Sequence, residues 1–344
     1  MTDVVRQQAA SGIDIVNDGE FGKPVLGEID YAAFTRYRYE RLSGYTMVEI
    51  DERELAASGR DRRDYADFYA AGEAAMSPNG KQIVARCVGP ITYTGASKIQ
   101  RDISNLEQAV RDARAHVSGA FLSAIAPHDP DSPGEYYATA EEEGDALAAA
   151  LREEYRAITG AGISIQIDDA RLAATFESKF SLDWDLKGFR KWAGRHIELI
   201  NFALEGIPPE LVRYHLCWGS WKGPHSSDIP LAEVVDLLLR VNASQYVVEA
   251  ANPQHEHEWA VWREVTLPEG KKLVPGVVTH KTNVVEHVEV VAQRLTRYAE
   301  AVGRDNIIAG TDCGMGGRIH PQLAWGKLRA LSEGAHLAST RLWS

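Results

Sequence analysis

The chain has 344 residues, 44% hydrophobic and 25% charged, the balance of a soluble globular protein with a full core. Acidic residues outnumber basic ones, 49 to 37, so the formal net charge of −12 argues against nucleic acid or an anionic membrane surface as the main partner. No run approaches the ~18 apolar residues of a membrane span, and the opening TDVVRQQAASG lacks the basic and apolar regions of a secretory signal. The expectation is a cytoplasmic protein with no membrane partner. Its three cysteines, Cys87, Cys217 and Cys313, are odd in number and widely spaced. In a reducing compartment they are free thiols or metal ligands.

In chain order, short apolar runs with polar or glycine-rich tips occur at IDIVNDGE (13–20), KQIVARCVGP (81–90), ISIQIDDA (163–170) and VRYHLCWG (212–219). QYVVEAA (245–251), KKLVPGVVTH (271–280) and NIIAGTDCG (306–314) complete the set. Between them lie segments with helical spacing, DALAAALREEYRAITGAG (145–162), LAEVVDLLLRVNA (231–243) and NVVEHVEVVAQRLTRYAEAVG (283–303). Strands alternating with helices predict βαβ units and a parallel sheet. The seven predicted strands are one short of a (β/α)8 TIM-type barrel, and the missing one would precede Thr2. We expect one barrel domain over 1–344, with 28–80 and 123–142 as excursions across one end. An open doubly wound sheet is the alternative.

Nearly every strand tip carries a residue capable of chemistry: Glu20, Asp168 with Asp169, His215 with Cys217, Glu249, His280 and Cys313. In parallel α/β folds that end of the sheet is where active sites are built. Residues i and i+2 of a strand share a face, so His215 and Cys217 can reach one metal together. A lone histidine there would more often be a hydrogen-bonded core residue. Its cysteine neighbour, with Glu249 and Cys313 at nearby tips, favours a zinc site of His215, Cys217, Glu249 and Cys313.

These residues resemble the catalytic barrel of the cobalamin-independent methionine synthase family. HLC (215–217), VVEA around Glu249 and GTDCG around Cys313 are similar to the family's zinc site, with the same ligand order of His-x-Cys, then Glu, then Cys. NDGE (17–20) looks like its glycine-glutamate tip, IQIDD (165–169) like its IQIDEP strand, and PGVVTH (275–280) like the strand ending in its catalytic histidine. The resemblance runs from Ile13 to about Gly317. It implies zinc as cofactor, bound by those four residues, with a small thiol and an alkyl donor as partners. Glu20 and Asp168 match the positions that hold the amino group of homocysteine, and His280 matches the histidine that protonates the leaving group. The implied reaction is methyl transfer to homocysteine, a step of methionine biosynthesis. Departures are a missing first strand with its Gly-Ser-x-Pro tip, a missing folate-binding half, Asp169-Ala170 in place of Glu-Pro, and CWGSWKGPH after the histidine. In these the chain looks like short single-barrel relatives such as epoxyalkane:coenzyme M transferase. A zinc-free barrel of the uroporphyrinogen decarboxylase type and a non-catalytic zinc protein are the other classes.

Further candidates are read as structural. HEHE (255–258) suits a surface helix whose first turn is acidic, and Cys87 suits a small core position. His225 is open between substrate contact and loop structure, and Trp218 and Trp221 between pocket wall and packing. GMGGR (314–318) lacks the spacing of a nucleotide motif, but with Arg318 it could hold an anionic tail.

Overall fold

The Val- and Ile-rich runs become strands because helices on the outside of a parallel sheet let both of its faces be buried. A computed structural model describes residues 1–23, 33–51, 59–71, 81–113 and 117–344. The first strand, β1, is Ile15–Asn17. Strands β2 (Tyr45–Asp51) and β3 (Lys81–Cys87) pair antiparallel with each other, apart from the main sheet. The remaining strands are β4 (Gly119–Ile125), β5 (Ser164–Asp169), β6 (Val212–Leu216), β7 (Gln245–Glu249), β8 (Lys272–Val278) and β9 (Gly310–Thr311). They form with β1 a seven-stranded parallel sheet in the order β1-β4-β5-β6-β7-β8-β9. Its outer members β1 and β9 line one cleft of about 640 Å³, so the sheet curls round into a barrel with an open seam.

Two expectations are corrected here. The run 81–90 is not a barrel strand, because β3 finds its partner in β2, inside the segment expected to be a turn-rich excursion. The barrel strand in its place is β4, GAFLSAI, whose last three residues had been assigned to the excursion 123–142. Small residues make β4 a weak strand in isolation, and its pairing with both β1 and β5 compensates. The excursion 28–80 lies partly outside the described residues. Within them it holds the helix Ala33–Tyr39, β2, and the helix Arg60–Asp64.

The long helices follow from their caps and apolar stripes. Ala140–Gly160 starts at Thr139, whose hydroxyl accepts from Glu142 N at 3.1 Å, and Glu141, Glu142 and Glu143 occupy the positive end of the helix dipole. Its Leu147, Leu151, Tyr155 and Ile158 are buried, and the Tyr155 hydroxyl donates to Ile125 O at 2.6 Å, fixing the helix over β4. The expected helix 231–243 is instead a 3-10 turn, Leu231–Glu233, and one helical turn, Val235–Leu238. Val234 leaves helical geometry between them (φ −131°), and Glu258 Oε1 accepts from Leu231 N at 2.6 Å. Among the described residues no helix is long and apolar enough to cross a membrane.

Candidate metal centre

Period-2 alternation sorts the polar residues at the ends of β5 and β6. Asp169 points outward, where its carboxylate accepts from His196 Nε2 and the Tyr214 hydroxyl, both at 2.8 Å, and from the amides of Arg171 and Leu172. Those bonds, led by the neighbouring His196, outweigh burial and hold its carboxyl below the usual range. Asp168 is therefore left for the barrel interior, in register with His215 on β6. Cys217 N donates to Asp169 O at 3.0 Å, extending the β5–β6 ladder beyond Leu216 and keeping Cys217 on the face of His215.

Cys313, just past β9, closes the group. One ring nitrogen of His215 and the Sγ atoms of Cys217 and Cys313 all lie within 4.8 Å of one another. The two sulfurs are 4.0 Å apart, close to the ~3.8 Å expected for two sulfurs bound at ~2.3 Å to one tetrahedral ion. His215 is 3% exposed, and neither ring nitrogen has a hydrogen-bond partner. Such orphaned nitrogens are costly unless something else satisfies them. The electrostatics also ask for a cation. Burial disfavours protonation of His215, yet the Cys313 sulfur, with Asp168 and Glu249, pushes it up to about 9. Contact with Cys217, aided by Arg318 and His215, holds the Cys313 thiol well below its usual range, and the Cys217 thiol is pushed well above it. The donor set of one imidazole and two thiolates fits zinc and not a hard, oxygen-seeking cation.

The other expected residues surround this trio. Glu249 is buried in the adjoining tip, but its carboxylate is engaged elsewhere: Oε1 accepts from Trp218 N at 2.9 Å and Oε2 from Asn252 Nδ2 at 2.8 Å. Glu20 sits in a turn of positive φ (59°) after Gly19 (67°), a strained geometry for a glutamate. The Asn17 and Asp18 side chains hold the turn by accepting from Gly19 N and Glu20 N. Glu20 lies 3.6 Å from Arg318 and close against Gly314. Burial raises the carboxyls of both Glu20 and Asp168; Arg318 opposes it at the first, His215 at the second. His280 is 2% exposed, has no partner at either nitrogen, and is lowered by burial against the pull of Cys313 and Glu249.

Of the remaining candidates, Cys87 is a core thiol donating to Gly89 O at 3.3 Å, as expected. Trp218 is fully buried, donates to Ile229 O and packs on His255 at 4.3 Å, so it is packing and not a pocket wall. HEHE is not a surface helix. His255 and Glu258 are buried, and His255 bridges Glu258 Oε2 at 2.9 Å and Asp228 Oδ2 at 3.1 Å, with His225 also on Asp228 at 2.9 Å. Sequence reasoning missed Lys281, Asn252, Asp312 and Ser220. Ser220 Oγ donates to Cys313 Sγ at 3.3 Å, and Asp312 Oδ1 accepts from the amides of Ala250 and Ala251. The only available signal was their position beside a predicted ligand or acid.

The catalytic-domain model of the cobalamin-independent synthases matches residues 138–336, a span that contains all of the trio. The chain belongs to this family. Along 98% of its length it is 24% identical to 2-hydroxypropyl-CoM lyase of Xanthobacter autotrophicus (strain ATCC BAA-1158 / Py2), covering 84% of that protein. Among solved structures it is similar to a B12-independent methionine synthase from Shewanella sp. W3-18-1 in complex with selenomethionine (TM-score 0.69, 21% identity, 99% of this chain and 88% of that one). A putative vitamin-B12 independent methionine synthase from Listeria monocytogenes matches with TM-score 0.62 and 19% identity, over 97% of this chain and 84% of that one. The family and the fold are thus those of the cobalamin-independent synthase barrel.

Proposed function

We propose that this protein is a zinc-dependent enzyme that transfers an alkyl group, methyl in the first instance, to the sulfur of a small thiol, homocysteine in the first instance. The observation that carries the reading is the trio His215, Cys217 and Cys313 at the C-terminal end of a parallel barrel, with both imidazole nitrogens otherwise unpartnered. Zinc held by these residues supplies a lowered thiol pKa at neutral pH while the sulfur stays nucleophilic. The protein's own residues do the rest. Glu20 and Asp168 present two carboxylates beside the cluster, which suit the ammonium of an amino thiol and repel a sulfonate. The Shewanella relative was solved in complex with selenomethionine, an amino acid, which is in keeping with an amino-acid ligand. As the sulfur–carbon bond forms, the bond from that carbon to its donor breaks and the leaving atom takes a proton. Buried His280, with depressed basicity, gives up that proton readily once it carries it.

A second reading is the alkylation of coenzyme M by an epoxide. The likeness to 2-hydroxypropyl-CoM lyase favours it, and the proton demand of an opening epoxide suits His280 equally. Product assays decide between them, with homocysteine, coenzyme M, cysteine and glutathione as acceptors and a methylfolate, a methylcorrinoid and an epoxide as donors. The expected product is methionine, and His280→Ala slows its formation by about 10²–10⁴-fold while zinc stays bound. Turnover of coenzyme M alone, or an unchanged rate in His280→Ala, would contradict the respective assignment.

A further inference from the structure

Two turns face each other across the seam beside the trio, Gly19–Glu20 after β1 and the glycine-rich run 314–318 after β9. A Cβ on Gly316 would stand 3.9 Å from Gly19 O, so the two backbones lie in contact range. Gly314 brings their charged ends together. A Cβ there would stand 2.8 Å from Glu20 Oε1 and 3.2 Å from Arg318 Nη1, wedged into the pair. Arg318 is aimed by its own turn, in which Gly317 has φ 69°. Its amide donates to Met315 O at 3.2 Å and its Nη1 to Gly316 O at 3.3 Å. The Arg318 side chain is 15% exposed and that of Glu20 22%, so a ligand can reach both.

The guanidinium lies 3.6 Å from Glu20 Oε2, too long for a hydrogen bond, so the two attract as charges without closing a bidentate pair. Burial raises the Glu20 carboxyl, and Arg318 is the first influence opposing it. Beyond the contact with Cys217, Arg318 also favours the Cys313 thiolate, and beyond burial it adds to the lowering of His280. Its charge therefore stands among all three, where a substrate joined to the trio would lie. The two nearby lysines are turned to other partners. Lys281 lies 3.2 Å from Glu249 Oε2, and Lys23 donates to Ser123 O at 2.7 Å with its ammonium over the Tyr37 ring.

An α-amino acid carries its ammonium and its carboxylate on one carbon, and a carboxylate and a guanidinium side by side are the complement of that head. An ammonium alone would meet Arg318 as a like charge. A carboxylate or sulfonate alone would meet Glu20 and Asp168 in the same way. The planar fork of a guanidinium also matches the two oxygens of a carboxylate. We propose that Glu20 and Arg318 together read the zwitterionic head of an α-amino acid, Arg318 binding the carboxylate while Glu20 takes the ammonium. Arg318 is then the residue that selects an α-amino thiol over an amine or an acid alone. The proposal rests on the amino-thiol reading given above and adds the group that answers the acid.

The probe is methionine, which has this head and no thiol, set against 3-(methylthio)propylamine, which is methionine without its carboxylate. Calorimetry on the purified protein measures both ligands in wild type, Arg318→Gln and Arg318→Lys, each checked for a cooperative melt. Arg318→Gln should weaken methionine binding by about 10- to 100-fold, the scale of hydrogen bonds between charged groups. It should leave the amine within about threefold or tighter, since Glu20 loses a competing cation. Arg318→Lys keeps the charge but not the fork, so methionine should weaken by about threefold or more with the amine unchanged, and this variant carries the test should Arg318→Gln not fold. With homocysteine as acceptor, KM should rise in step while kcat stays within about threefold. An arginine that only shapes the turn would weaken both ligands alike, and equal losses would overturn the proposal. So would wild-type protein that binds the amine as tightly as methionine, or binds neither. Coenzyme M binding that falls in Arg318→Gln while methionine binding holds would overturn it as well. Methionine that binds with the expected pattern to a protein that alkylates no thiol would overturn the proposed reaction and leave the inference standing.

Discussion

His255 is enclosed by two carboxylates, Asp228 at 3.1 Å and Glu258 at 2.9 Å, and packs at a tilt against Trp218. Burial disfavours its charged form, yet the hydrogen bonds that Asp228 and Glu258 accept from it push it up to about 9. With a folded-state value above the ~6.5 of an unfolded histidine, it contributes stability that is fully present below pH 6.5 and lost as pH rises through 9. At about 1.4 kcal/mol per unit over the span from 6.5 to about 9, that loss is at most about 3.5 kcal/mol. Urea unfolding at pH 6 and at pH 9.5 should show wild type weakening by up to this amount, and His255→Gln should be less stable at pH 6 with a flatter pH dependence. Parallel curves for the two proteins would remove His255 from the account. None of this was legible in HEHE, because the partner that buries it, Asp228, stands 27 residues earlier in the chain. The trio was legible, because His215 and Cys217 are two apart on one strand and Cys313 ends another. Lys281 was not, since nothing in a one-dimensional pattern tells a lysine that turns inward from one that turns to solvent.

Elements place these residues through backbone contact as much as through side chains. Glu249 pairs with Gly276 on β8, and Gly276 pairs in turn with Gly310 on β9. A Cβ built on Gly276 would stand 2.5 Å from both N and Cα of Asp312, the residue before Cys313. Backbone cannot yield there as a flexible side-chain end can, so the glycine is what lets the last tip close on the trio. Gly276→Ala should cost about 1–3 kcal/mol of stability by overpacking. It should also weaken zinc binding, by shifting Cys313; an alanine variant of wild-type stability and zinc affinity would show that the approach is looser than described. Strand identity was legible where Val and Ile run together, in β5 to β8. It failed at β3 and β4: VARC in β3 reads as core strand but pairs outside the barrel, and SAI (123–125), read as the start of an excursion, is the end of β4 and pairs within it. Segment 231–243 failed for a related reason, since its helical spacing could not reveal that Glu258 captures the first amide.

At the scale of the molecule, the curled sheet gathers polar tips that are far apart in the chain. His215 and Cys313 meet across about a hundred residues because parallel strands all end on the same side. The cleft at the open seam, with Ile13, Ile15, Ile307, Ile308 and Trp325 among its walls, reaches Glu20 and Gly314 but not the trio, so the candidate metal centre and this cleft are neighbours and not one site. The barrel and its seam were foreseeable from counting strands, although one of the seven was the wrong segment. The central claim is that the His215, Cys217 and Cys313 centre binds a thiol directly, and X-ray absorption of the zinc-loaded protein tests it most directly. Without substrate the zinc should have two sulfur neighbours, those of Cys217 and Cys313. Adding homocysteine should raise the count to three, as expected where a ligand position is open to substrate. A zinc that stays at two sulfurs with every thiol offered would contradict the account.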